Sequence, residues 1–482
     1  MRVLTRLAPV ALVAAGLVGA AALDERSTAT DAVRFGEGDR SPMPAAFPAD
    51  ALTSSWFCPG VPVGPGVSSR VSLLNLTEAD VVATVTVHPT GGRPTTVAVT
   101  ARGFARTEVA LADAGAPAGH AAALVEVAGA GLLAEQVAVT PAGRASSPCA
   151  TAPSPTWFVA DGASTTEVTN AVTLFNPFPD DLVVDVTATT EEGTRASKAL
   201  QGLVVAPRSL RVVDLGDTVK AKERVAVAAV ARTGRFVLGR LQTASGARRE
   251  LAAGLGAPAP ATSWTFAAAP KQNGLFTRFT IFNPDPTDAE VSLTLYPAGG
   301  SPGSNSTATA SGATPAAGAG NPPIRRTVKA RSSVLINLAE LTEVPDGAYA
   351  AVLTANAGVV VERVLAAGDG RAAVQFGARA AAQRWWFVGA AGPLSTRITV
   401  FNATGVEATA TVERVGPAGP TAVAGIAPLA LPPGGSGSVV FEGPLADGPF
   451  VVVAEQPVVV ERLESTDQPP AWSTSSGIPE LR

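Results

Sequence analysis

One pattern recurs four times along this chain and restricts what it can fold into. A tryptophan is followed at a set distance by an apolar residue and an asparagine: Trp56 by Leu74-Asn75, Trp157 by Phe175-Asn176, Trp264 by Phe282-Asn283 and Trp386 by Phe401-Asn402. The Trp-to-Asn spacing is 19 residues in the first three copies (56→75, 157→176, 264→283) and 16 in the fourth (386→402). After each Asn and a turn, apolar residues fall on every second position. They are Val81, Ala83, Val85 and Val87; then Leu182, Val184, Val186 and Ala188; then Ala289, Val291, Leu293 and Leu295; then Ala408, Ala410 and Val412. The positions between them are mostly Thr, Ser, Asp or Glu. A period of two with one apolar face describes a half-buried strand. All four copies keep the same parity relative to the Asn, and a one-residue slip would invert the face.

Each copy continues with a strand pair around a turn, as in 203–213 and 327–336, and ends in an expected closing hairpin. In the fourth copy this is Phe450 to Val453, the turn Ala454-Glu455-Gln456-Pro457, then Val458 to Leu463; in the third it runs through Asn356-Ala357-Gly358 to Val364. About seven strands per roughly 100 residues predict an all-β chain of tandem immunoglobulin-like β-sandwich repeats. The expected units are 54–152, 153–258, 261–382 and 383–478. A propeller is the alternative, with each unit supplying two blades of about 40–50 residues. The third unit is lengthened by a Gly/Ser/Ala/Pro/Thr run at 298–323, expected to be a disordered surface loop. The tail from Pro469 is expected to add the last strand of the fourth unit.

Ahead of the units, Met1-Arg2 and Arg6 precede an uncharged apolar run from Leu7 to Leu23. It reads as a signal peptide with a small-residue site at Ala20-Ala21-Ala22, or as an uncleaved membrane anchor with everything after it outside. Residues 24–53 are charged and rich in Pro, Gly and Ala, and are expected to form a flexible linker. The two cysteines, Cys58 and Cys149, sit at the edges of the first unit; in an exported chain a disulfide between them would staple its start to its end.

The chain shows no motif for chemistry. A net charge of −4 without a Lys/Arg cluster argues against a nucleic-acid partner. Two cysteines and two distant histidines, His88 and His120, give no metal-ligand spacing. Nucleophile elbows, phosphate loops and dinucleotide glycines are absent, so no catalytic, cofactor or metal residue is assigned and no cofactor is expected. His88 is expected on the solvent face of its strand and His120 in a Gly/Ala loop. The Asn side chains are expected to cap turns and the Trp side chains to fill the core. A Glu-Arg dipeptide, Glu362-Arg363 and Glu461-Arg462, weakens to Glu135-Gln136 and Gly239-Arg240. Strand neighbours point to opposite faces, so the two are not expected to form one site; an Arg laid over the unit's Trp, or a surface ion pair, is the expectation.

The order Trp157-Phe158 to Gly162, Phe175-Asn176-Pro177, the strand Val183 to Thr189 and a close of the type Val459-Val460-Glu461-Arg462 resembles that of an actinobacterial family of secreted or membrane-anchored envelope proteins, catalogued only as a domain of unknown function. The resemblance spans about 54–463; the first unit departs from it, with Asn75-Leu76 for Asn-Pro and no Glu-Arg. It implies a non-enzymatic, extracytoplasmic cell-envelope protein, a scaffold or interaction module with an envelope protein or polysaccharide as partner. The alternative is a carbohydrate-binding surface protein using exposed aromatics. A hydrolase whose carboxylates converge only in the fold is the third expectation.

Overall fold

The computed structural model describes residues 43–246, 249–272, 274–298, 320–389, 391–393, 395–467 and 470–481. The expected signal or anchor at 1–23, the linker as far as residue 42 and the insertion from 299 to 319 lie outside the described residues. Among the described residues no helix is long and apolar enough to cross a membrane. The described residues form antiparallel strands, with three single-turn 3-10 helices among them.

The alternating stretches are strands, with the expected faces inward. In Val81–Pro89, Leu182–Thr190, Ala289–Pro297 and Ala408–Gly416 the apolar series is buried, Val81 alone being half-buried. Each strand lies in one of two sheets that sandwich a core. In the first unit, 53–148, the outer sheet runs Thr53–Val63, Gly119–Ala128, Val81–Pro89, Thr95–Ala101. The inner sheet runs Arg106–Ala110, Ser68–Asn75, Leu132–Thr140, Gly143–Pro148. Sheet pairs of the same kind occupy 156–255, 261–376 and 382–479.

The expected hairpins are corners. Tyr349–Ala367 is one continuous strand; its first half pairs with Ala289–Pro297 in the outer sheet, its second with Leu275–Asn283 and Ala372–Phe376 in the inner sheet. Phe450–Asp467 does the same in the fourth unit. The strand pair expected over 203–213 also divides: Leu203–Val205 joins the outer sheet and Ser209–Asp214 the inner. Two apolar runs around turn residues signal a reversal or a corner equally well, and only the partner strands distinguish the two. The tail supplies Pro470–Ser476 and Ile478–Pro479 to the fourth unit.

From residue 43 the chain forms one compact body. The part of the expected linker that is described is packed on it. Phe47 meets Trp56 edge-on with ring centroids 5.5 Å apart, and Ala46 N–H donates to Pro479 O at 2.8 Å.

Candidate functional site: the hub between four units

The last inner strand of each unit faces a common centre. Gly143–Pro148 lies against Glu250–Leu255, that strand against Ala372–Phe376, that against Pro470–Ser476, which returns to Gly143–Pro148, so the four units close a ring. Side chains and backbone tie each neighbouring pair. Leu255 N–H donates to Ser147 Oγ at 3.3 Å, and Arg249 N–H to Gly370 O at 2.8 Å beside the inner strand of the third unit. Thr474 Oγ1–H donates to Gln375 Oε1 at 2.8 Å, and Ser146 and Ser473 hydroxyls meet at 2.9 Å.

The Glu-Arg dipeptide makes the seams of this ring. Because strand neighbours point opposite ways, a unit directs its Glu to the preceding unit and its Arg to the following one. Arg240 of the second unit reaches Glu362 of the third at 2.7 Å. Arg363 of the third reaches Glu461 of the fourth at 2.5 Å, and Arg462 of the fourth reaches Glu135 of the first at 3.1 Å. All six side chains are at most 5% exposed. Each Glu also accepts a backbone N–H from the loop after the neighbour's Trp strand: Glu362 from Ala160 and Asp161, Glu461 from Ala268, Glu135 from Gly389. The expected surface ion pair is therefore a buried one between units. The aromatic under the Arg is a Phe rather than the Trp: Arg363 lies 5.5 Å from the Phe266 ring and Arg462 5.4 Å from Phe387.

The seam between first and second units lacks both halves of the pair. Gly239 stands where the second unit would carry Glu, and Gln136 where the first would carry Arg; Gly239 pairs with Thr173, and Gln136 with Val71, at the matching ladder positions. A Cβ on residue 239 would fall 2.9 Å from Pro59 Cβ of the first unit and 2.4 Å from Thr173 Oγ1, so the close approach requires glycine. Gln136 Oε1 accepts Gly60 N–H at 3.2 Å; Gly60 follows Trp56 at the spacing of the N–H donors that a neighbour's Glu takes at the other seams. The Cys58–Cys149 disulfide holds this same corner, with Cys58 adjoining Pro59 and Ala150 paired with Phe57.

Charges deepen the asymmetry. At the fourth-to-first seam a second pair, Arg144–Glu464 at 3.0 Å, joins the first, and Glu464 also lies 3.5 Å from Arg462. Burial works to raise the Glu464 carboxyl, but the guanidiniums of Arg462 and Arg144 outweigh it and hold it below the ordinary carboxylate range. At the second-to-third seam burial and the nearby Asp161 raise Glu362 despite Arg240.

A cavity of about 300 Å³ lies at the hub, lined by residues of all four last strands and by Arg240 and Glu362. Its wall is largely Ala, Leu, Val, Pro and Phe, with Ser146, Ser147, Gln375, Thr474 and Ser475 among them. Met43, Pro44, Pro479 and Leu481 border it where the two ends of the described chain meet.

The other residues singled out from sequence lie away from the cavity wall. Cys58 and Cys149 form the disulfide. Trp157 and Trp264 are wholly buried and Trp386 is 5% exposed, so they offer no stacking platform to a sugar. The fourth Trp of the recurring pattern is Trp385, not Trp386. Trp56, Trp157, Trp264 and Trp385 donate their indole N–H to Leu132, Phe236, Val359 and Val458 carbonyls respectively, whereas Trp386 donates to Glu480. His88 is buried rather than solvent-facing. Its Nδ1–H donates to Arg208 O of the second unit at 2.8 Å, its ring lies 4.9 Å from Phe175, and burial lowers its pKa. His120 lies in the strand Gly119–Ala128, not in a loop. The inter-unit partners of Glu362, Glu461 and Glu135 were missed, although the sequence holds a signal for them. If Arg of one unit meets Glu of the next, the two departures, Gln136 and Gly239, fall on one seam.

Over residues 112–385, more than half of its length, the chain matches a family of unknown function, DUF5719. No curated protein matches it. Among solved structures it is similar to the Anabaena sensory rhodopsin transducer, at 23% identity, over 22% of this chain and 82% of that one, with a TM-score of 0.16. It is similar to Thermotoga maritima 1070 at 16% identity, over 25% and 94%, with a TM-score of 0.18. A tetra-tandem repeat from the extending region of a large adhesion protein is 11% identical over 91% and 98%, with a TM-score of 0.11.

Proposed function

Since the chain belongs to the DUF5719 family of unknown function, we propose that it is an exported, non-enzymatic cell-envelope protein: a rigid scaffold or interaction module, built from four diverged copies of one β-sandwich unit, that offers its outer faces to an envelope protein or polysaccharide. The observation that carries this reading is where the buried charge is spent. Arg240, Arg363, Arg462 and Arg144 and their glutamates, the groups with most capacity for chemistry, are engaged with one another across seams. Such pairs contribute less to net stability than to holding one arrangement of parts.

Export is supported by the disulfide, a bond that persists in oxidising compartments, and by the apolar run at 7–23 behind Arg2 and Arg6. Thiol trapping in intact cells of the native host, followed by fractionation, tests it. Oxidised Cys58 and Cys149 in protein recovered with the envelope are expected; free thiols in a cytosolic protein would overturn it. The N-terminal sequence of the mature protein separates a cleaved signal from a retained anchor. Photo-crosslinkers at exposed Phe178, Val230 and Val406 are expected to capture an envelope component.

A further inference from the structure

The hub cavity holds buried hydrogen-bond groups with nothing to bond. Among its lining residues, Gln375 Nε2, Arg240 Nε and Ser475 Oγ have no hydrogen-bond partner, in residues 8%, 4% and 4% exposed. Polar groups buried to this degree are nearly always satisfied, by protein or by ordered water. Three orphans from three units, on one cavity of a size that holds a small ligand, make the cavity the feature that needs an occupant.

The chemistry of that occupant follows from what the wall still has to give. Arg240 Nε and Gln375 Nε2 can only donate. Most of the wall's buried acceptors are engaged: Gln375 Oε1 by Thr474, Ser147 Oγ by Leu255 N–H, and both Glu362 oxygens by Arg240 and the N–H groups of Ala160 and Asp161; Ser475 Oγ can serve in either role. A ligand rich in hydroxyls would bring donors with few acceptors to meet them. Arg240 is already neutralised by Glu362, and Arg379, the other cation on the wall, is exposed to solvent, so a charge carried into the buried part of the cavity would be desolvated without a counter-ion there. The remaining wall is apolar, including Leu251, Ala253, Leu255, Ala373 and Phe376. We propose that the hub cavity binds a small neutral ligand carrying carbonyl or ester oxygens on an apolar body, a short acyl ester by class. The site stands on the cavity and its orphan donors, and holds whether or not the protein is a scaffold.

Saturation-transfer NMR on the purified full chain, with ethyl hexanoate as probe and maltose and hexanoate anion beside it, tests the site. Ethyl hexanoate is expected to bind in preference to both. Ser475→Ala removes a hydroxyl that has no partner and is expected to weaken binding roughly three- to tenfold with the melting temperature kept, as loss of one hydrogen bond implies. Gln375→Met should act in the same direction. Val374→Trp, at a half-buried lining position, should fill the cavity and abolish binding. No transfer from ethyl hexanoate to the wild type would overturn the proposal. So would binding untouched by Val374→Trp, or maltose bound in preference.

Discussion

Asn176, 1% exposed, reaches four backbone groups. Its Nδ2 donates to Asp180, Val205 and Ala206 carbonyls, and its Oδ1 accepts Phe178 N–H two residues on. Asn75, Asn283 and Asn402 make the same kind of contacts. The chain crosses from inner to outer sheet at these residues, where a ladder cannot satisfy the backbone, and the amide does so. Asn176→Ala leaves buried carbonyls unpaired and is expected to cost about 2–4 kcal/mol in urea unfolding; a loss under about 0.5 kcal/mol would show the clamp to be dispensable. The turn role of this residue was legible in the sequence, because the Asx bond is local. The choice between Trp385 and Trp386 was not. The shorter fourth spacing fits either neighbour, and the deciding bond runs to Val458, 73 residues away.

Among elements, the closing strands carry both the cores and the seams, so a change there tests the two together. Arg462→Met alone strands Glu135 in the interior, while Glu464 keeps Arg144, and a loss of about 3–5 kcal/mol is expected. Adding Glu135→Met is expected to recover part of it, a coupling that a double-mutant cycle would read directly; strictly additive losses would show that the pair does not act as one. Acidity separates the seams. Glu464 has its pKa lowered in the folded protein, so its contribution is present above the ordinary value of 4.5 and is lost as pH falls through its folded value. Glu362 has its pKa raised, so its contribution is present at low pH and is lost as pH rises through its folded value. Hydrogen exchange at about pH 4 against about pH 7, corrected for intrinsic rates, is therefore expected to loosen Gly143–Pro148 and Phe450–Asp467 before Val237–Ala244. The opposite order would contradict the assignment.

At the scale of the whole molecule, three seams of the ring are joined by ion pairs, and at the fourth a glycine packs on a proline beside the first unit's own disulfide. The bond closes a separation of 91 residues and fixes Cys58 beside the Pro59 that packs on Gly239. Cys58→Ser with Cys149→Ser is expected to lower stability by about 2–4 kcal/mol. Exchange should rise first in Thr53–Val63 and Val237–Ala244, the two sides of that seam; a rise confined to the first unit would separate the disulfide from the ring.

What the sequence determined by itself is the part of the structure written in short periods: an all-β chain, the buried face of each alternating strand, the Asn turns and the two cysteines placed to pair. These follow from a two-residue repeat and from bonds that span a few positions. The tertiary structure alone decided that apparent hairpins are corners between sheets, that four sandwiches close a ring, and that the Glu and Arg of one dipeptide serve two different neighbours. Arg240 and Glu362 stand 122 residues apart, and Arg462 and Glu135 stand 327 apart. No local period encodes such a meeting, because what brings the groups together is the packing of whole units around the hub.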